Sequence, residues 1–125
     1  MPQGLVVFAK DKPRVSAFYR QTLGLEVRES DTSYDLLQGD GIEVTVHAIP
    51  AEFAKDIAIA NPPMPREETP FKPTFVVADL AAVRREAAAT GGHLNPESAA
   101  WTLGSLVVLD GWDPEGNIVQ FRQGR

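Results

Sequence analysis

The chain has 125 residues, 43% of them hydrophobic, and a formal net charge of −5. That length suits one compact domain or two small fused modules with an ordinary core. The acidity and the lack of any Lys/Arg cluster argue against a nucleic-acid partner, which needs a basic stripe, and the absence of cysteine excludes disulfides and thiolate chemistry.

In chain order, residues 1–4 carry no basic stretch, and the apolar run at residues 5–9 is too short for a signal peptide or a membrane span. A soluble, cytoplasmic protein with no membrane partner is expected. Residues 5–9 form a nearly continuous apolar run and read as a strand buried on both faces. Asp11 can cap the helix that follows, and Pro13 is tolerated in its first turn. Val15, Phe18, Tyr19 and Leu23 recur at helical spacing, and Gly24 is a natural stop. Strands are then expected at 25–30, 33–38 and 42–49. They are separated by turn residues at Asp31-Thr32 and Gly39-Asp40-Gly41.

Residues 50–73 hold six of the ten prolines and cannot be sheet. Residues 51–60 could hold a short helix. A connection of this length reads as a tether, an arm or a lid. The plan then repeats. A strand at 74–77 leads to Asp79 as cap, and a helix carries Leu80, Val83, Ala87 and Ala88 on one side. Gly91-Gly92 ends it. Strands are expected at 93–97, 103–110 and 118–122, with a turn at Asp113-Pro114-Glu115-Gly116 before the last. The same offset separates Asp11 from Asp79 and Gly24 from Gly92. The chain is therefore one domain over 1–125, made of module one (1–49), a proline-rich linker (50–73) and module two (74–125).

A βαβββ unit written twice, with Ala17-Phe18-Tyr19-Arg20 and Leu23-Gly24-Leu25 in the first copy and Asp113-Pro114-Glu115-Gly116-Asn117 before the last strand, resembles the vicinal oxygen chelate superfamily. This is the glyoxalase, bleomycin-resistance and extradiol-dioxygenase group, and the resemblance spans essentially the whole chain. It implies an α+β fold: two tandem βαβββ modules forming a curved eight-stranded mixed sheet, with a central cavity inside and helices outside. It also implies a homodimer.

In the enzymes of that superfamily a divalent metal is held by side chains from the first and last strand of each module. The matching positions here are Gly4 and Glu43 in module one, and Pro73 (or Lys72) and Gln120 in module two. Glycine and proline offer no side-chain donor, and a charged lysine is not a ligand. A tight divalent site needs three or more protein ligands. The resemblance thus implies a degenerate metal site with no cofactor, or at most a weakly held divalent ion at Glu43 and Gln120.

Glu43, Thr45 and His47 share one strand face at period two, and the resemblance turns that face to the cavity. The Cα atoms of Glu43 and His47 would lie roughly 13 Å apart, too far to chelate one ion. Glu43 is either a solvated strand carboxylate or a carboxylate in a cavity lined by Val6, Phe8, Phe75 and Val77 and hydrogen-bonded by Gln120. In the second case it is the candidate catalytic group, a general base, or an anchor for a ligand amine or hydroxyl. His47 is a half-exposed strand histidine or a ligand contact at the rim. Tyr34 could present its hydroxyl to the cavity. Trp101 and Trp112 flank the strand at 103–110, as packing residues or, for Trp101, a ligand platform.

Three functions follow. The first is a glyoxalase/bleomycin-resistance-like protein that binds a small organic ligand without metal. The second is a divalent-metal-dependent lyase, isomerase or dioxygenase acting on a vicinal-oxygen substrate. A third is an interaction module whose cavity is filled by its own side chains. No phosphate loop, nucleophile elbow or Cys/His metal spacing is present.

Overall fold

The structure, a computed structural model, describes residues 2–124. Module one runs β1 (Gln3–Ala9), α1 (Lys12–Leu23), β2 (Glu26–Ser30), β3 (Tyr34–Gly39) and β4 (Ile42–Ala48). The linker holds only a single helical turn, α2 (Ala51–Ala54). Module two runs β5 (Thr74–Val77), α3 (Leu80–Ala89), β6 (His93–Leu94), β7 (Trp101–Leu103), β8 (Leu106–Trp112) and β9 (Ile118–Gly124).

The α+β class and the doubled module plan are as expected. The strands, however, lie in two sheets, ordered β1-β4-β3-β2 and β5-β9-β8-β6, with β7 added on β8. In each, the first strand runs parallel to the last and antiparallel pairs follow. The second sheet has five strands because the run at 103–110 is not one strand. It folds back at Gly104, whose φ of 58° suits a tight hairpin turn, and Leu103 pairs with Leu106. The strand expected at 93–97 shrinks to two residues. Pro96 cannot donate to a ladder, and a 3-10 turn (Glu97–Ala99) replaces it.

The two helices start and stop as their sequence predicts. Asp11 accepts from the Arg14 amide at 3.3 Å, Pro13 sits in the first turn, and Gly24 ends α1 in the left-handed region at φ 66°. Asp79 accepts from the Ala81 amide at 2.9 Å to open α3. Both helices cover one face of the sheets. On β1 that face holds Val7 and Ala9, which are buried. Val6 and Phe8 point the other way and are 53% and 63% exposed. The expectation that β1 is buried on both faces is therefore corrected: only one face meets helices, and the other is open. β5 behaves alike, with Phe75 buried and Val76 75% exposed.

The core crosses from one module to the other. Phe18 of α1 meets Tyr19 edge-on at 5.0 Å and Phe121 of β9 at 6.5 Å, and Phe121 meets Phe75 of β5 at 6.3 Å. A buried polar clasp fixes this packing. Asp113, in the turn before β9, is fully buried. One of its oxygens accepts from the Glu115 and Asn117 amides at 2.8 and 3.1 Å. The other accepts from the Tyr19 hydroxyl and the Asn117 side chain, both at 2.8 Å. Burial pushes the Asp113 carboxyl above its ordinary range, against the pull of these hydrogen bonds. Burial, followed by the Asp113 charge, likewise raises the Tyr19 hydroxyl, which stays a neutral donor.

The same turn grips module one a second time. The Glu115 carboxylate accepts from the Lys10 and Asp11 amides at 2.9 and 2.7 Å. The linker is strapped over the turn: the Arg66 amide donates to Gly116 O at 2.8 Å, and Arg66 Nε to Glu115 O at 3.0 Å. Gly116 lies at φ 85°, with the Met64 carbonyl where a side chain would begin.

Asparagine at position 113 would present one acceptor and one amino group to a ring of donors, leaving buried groups unpaired at about 1–3 kcal/mol each. Tyr19→Phe removes one donor of four and should cost about 1 kcal/mol. Urea unfolding is expected to show Asp113→Asn as the clearly larger loss. Equal losses would mean that the carboxylate is not the centre of the clasp.

Candidate functional site

The open sheet faces carry the chemistry-bearing residues, because the other faces are filled by core. On module one the ladder sets Phe8, His47 and Tyr34 in one row across β1, β4 and β3. The Phe8 and His47 rings lie 5.8 Å apart, and His47 Nδ1 is 2.9 Å from the Ala48 carbonyl. A second row holds Gly4, Glu43 and Gln38. The Gln38 amide spans two charged groups. Its oxygen accepts from Arg28 at 2.6 Å, and its nitrogen donates to Glu43 at 3.3 Å.

Module two has a parallel arrangement on its open face. Thr74, Gln120 and Asp110 form one row, and Val76, Arg122, Val108 and Trp101 the next. Gln120 is 4% exposed. Its nitrogen donates to Asp110 at 3.0 Å, and its oxygen accepts from Arg122 Nε at 2.8 Å. Lys72 Nζ donates to the other Asp110 oxygen at 2.8 Å. The amide orientation follows from its partners, one a pure donor and the other a pure acceptor.

A cleft of about 460 Å³ lies between the modules, walled by β1 and β4 on one side and β5 on the other. Gly4, Glu43 and Pro73, three of the four positions singled out from sequence, line it together with Thr74 and Val76. Gln120 stands one strand behind the wall, paired with Thr74, and its backbone N–H donates to Pro73 O at 2.9 Å. The expected Gln120–Glu43 hydrogen bond is not made, since each side chain is held by a neighbour in its own sheet. Phe75 borders the cleft, yet its ring is buried against Phe121; Val77, on the same face, packs on the core. Val6 and Phe8 instead border a smaller cavity of about 300 Å³ with the linker residues Thr69, Pro70 and Phe71. Tyr34 and Trp101 sit on the open faces but line none of these cavities. His93 packs on Trp112 at 4.3 Å, which makes Trp112 a packing residue.

The cleft's donor set does not suit a divalent cation. Gly4 and Pro73 have no side-chain donor, and both ends of the Gln120 amide are taken. Of the four positions, only Glu43 is left with acceptor capacity, against the three or more ligands a tight site needs. Among the described residues no group of three or more His, Cys, Asp or Glu side chains could hold a metal ion.

Sequence reasoning missed Arg28, Gln38, Asp110 and Arg122. One signal was available: Arg122 follows Gln120 by two residues, so any strand assignment puts both on one face. Asp110 and Lys72 are brought in by the ladder and by the linker's end, which the sequence does not encode locally. A larger cavity, about 860 Å³, lies elsewhere. It is walled by the start of α1, Asp31 and the linker residues Ile59, Ala60 and Asn61, and contains no predicted site residue.

A glyoxalase-like domain model matches residues 4–121. Solved structures share the fold over nearly the whole chain. A bleomycin resistance determinant encoded on the transposon Tn5 superposes with a TM-score of 0.63 at 17% identity, covering 100% of this chain and 98% of that one. A glyoxalase/bleomycin resistance protein/dioxygenase family enzyme from Burkholderia phytofirmans gives 0.67 at 20% identity, covering 98% and 97%. The fosfomycin resistance protein FosX from Listeria monocytogenes gives 0.67 at 12% identity, covering 100% and 93%. No curated protein sequence matches the chain.

Proposed function

The chain belongs to the glyoxalase-like domain family of the vicinal oxygen chelate superfamily, and from that premise we propose that it binds a small organic ligand without a resident metal. The observation that carries this reading is the cleft itself. Its volume, about 460 Å³, lies in the range of small-molecule sites. It keeps a carboxylate, Glu43, at a position where the superfamily places a ligand to metal, while Gly4 and Pro73 bring no donor. Without a cation, Glu43 is an acceptor for a ligand hydroxyl or amine, with Gln38 holding it in place. The bleomycin resistance determinant among the structural neighbours is consistent with a binding role for this scaffold.

A compound that binds the native state raises its melting temperature. A thermal-shift screen of small polar aromatics should find binders, and Glu43→Gln should weaken them by about tenfold, the worth of one charge-assisted hydrogen bond. An unchanged affinity in Glu43→Gln would remove Glu43 from the site.

We further propose that the open faces are covered by a second copy of the chain. Val6, Phe8, Val76, Trp101 and Leu103 are 53%, 63%, 75%, 48% and 43% exposed, and large apolar side chains grouped on the open sheet faces are the kind of surface that a partner covers. Pairing would turn open faces into enclosed ones and dry the pocket. Light scattering after size exclusion should give twice the 13.6 kDa chain mass, and Phe8→Glu combined with Trp101→Glu should give a folded monomer. A wild-type monomer at micromolar concentration would contradict this pairing.

A further inference from the structure

We propose that Arg122, on the open face one strand behind the cleft wall, is a fixed anchor for a carboxylate, so that a ligand reaching from the cleft across Val76 is a carboxylic acid with an apolar body. The inference rests on the pocket reading above and adds the ligand's chemical class.

On β9, Val119 and Phe121 enter the core, and the Gln123 side chain accepts from the Leu80 amide at 2.6 Å under α3. Arg122 therefore stands on the open face with Gln120, beside Val76 of the cleft wall. Its surroundings in register are apolar: Val76 on one side, Val108 on the other, and Trp101 beyond Val108.

The guanidinium is held rather than free. Its Nε donates to Gln120 Oε1, Gln120 is anchored through Nε2 on Asp110, and Asp110 is anchored on Lys72. Buried Gln120 cannot turn its amide without facing donor to donor and acceptor to acceptor. It is a positioning residue that fixes where the Arg122 head lies.

The charge is also uncompensated. Of the two salt bridges among the described residues, Lys12–Asp35 and Lys72–Asp110, neither involves Arg122. The nearest acid by register, Asp110, gives one oxygen to Gln120 and the other to Lys72. With Nε engaged, the paired terminal nitrogens remain. They form a planar fork that matches the two oxygens of a carboxylate. An oriented cation among apolar side chains loses little entropy on pairing. It interacts more strongly than one in water once the face is covered.

The test uses the full-length protein and three matched probe pairs: benzoate and benzamide, 2-naphthoate and 2-naphthamide, indole-3-acetate and indole-3-acetamide. Calorimetric titration should show at least one acid bound about tenfold more tightly than its amide, the worth of a charge-assisted over a neutral hydrogen bond. Arg122→Gln should erase that preference, weakening the acid about tenfold more than the amide, and Arg122→Lys should keep part of it. Gln120→Leu should weaken the acid more than the amide and so shrink the preference, an effect that loss of packing alone would not produce. Equal binding of acid and amide, or a preference that survives Arg122→Gln, overturns the anchor and leaves the pocket standing. Binding of no probe overturns the pocket reading and the anchor with it.

Discussion

Asp113 receives four hydrogen bonds in a place with no access to water, and the arrangement of the two modules depends on it. Burying a carboxylate is costly unless its lone pairs are filled. Here three donors come from its own turn and the fourth from Tyr19, on the helix of the other module. Glu115 adds two backbone donors from the β1–α1 junction. A turn of module two thereby locks the start of α1 and, through Phe18, Phe121 and Phe75, the stack of aromatic rings between the modules. The orientation of α1 then places β1 beside β5 without a hydrogen-bonded ladder between them. The cleft is the space left between those two edges.

The polar residues of the open faces are arranged twice in the same way. In module one a glutamine amide joins Arg28 to Glu43; in module two a glutamine amide joins Arg122 to Asp110. The strands are exchanged, since Gln38 lies on the strand beside Glu43's while Gln120 lies on the strand that matches Glu43's. The chemical outcome is shared. Each carboxylate has a neutral amide as neighbour, and each arginine is oriented by a group without charge. Such faces can present one fixed acid and one fixed base to a ligand. They offer no cluster of free anionic donors to a cation.

Local features were legible in the sequence where the physics is local. Asp11 and Asp79 cap their helices, Gly24 stops the first, and the strand at Thr74–Val77 has the expected bounds. The doubled plan followed from spacing alone. The errors arise where tertiary context decides. The run from Leu5 to Ala9 has no polar residue to show that one face is open, so it read as buried on both. The Gly104-Ser105 hairpin was hidden inside a stretch of strand formers. Asp113-Pro114-Glu115-Gly116 was correctly read as a turn, but its hold on Tyr19 joins residues far apart in the chain, and no local pattern reports that. The Gln120–Glu43 contact failed for the same reason: the partners of Gln120 come from β8 and its own strand.

The central claim is that this scaffold keeps a ligand pocket at a position where its superfamily carries metal. The most direct measurement is elemental analysis of protein expressed in metal-replete medium and purified without chelators or metal-affinity resin. The account predicts far less than one divalent metal per chain, and binding of a pocket ligand that chelator treatment leaves unchanged. Close to one metal per chain, with ligand binding lost on chelation and restored by the same metal, would contradict it and favour a metal-dependent lyase, isomerase or dioxygenase.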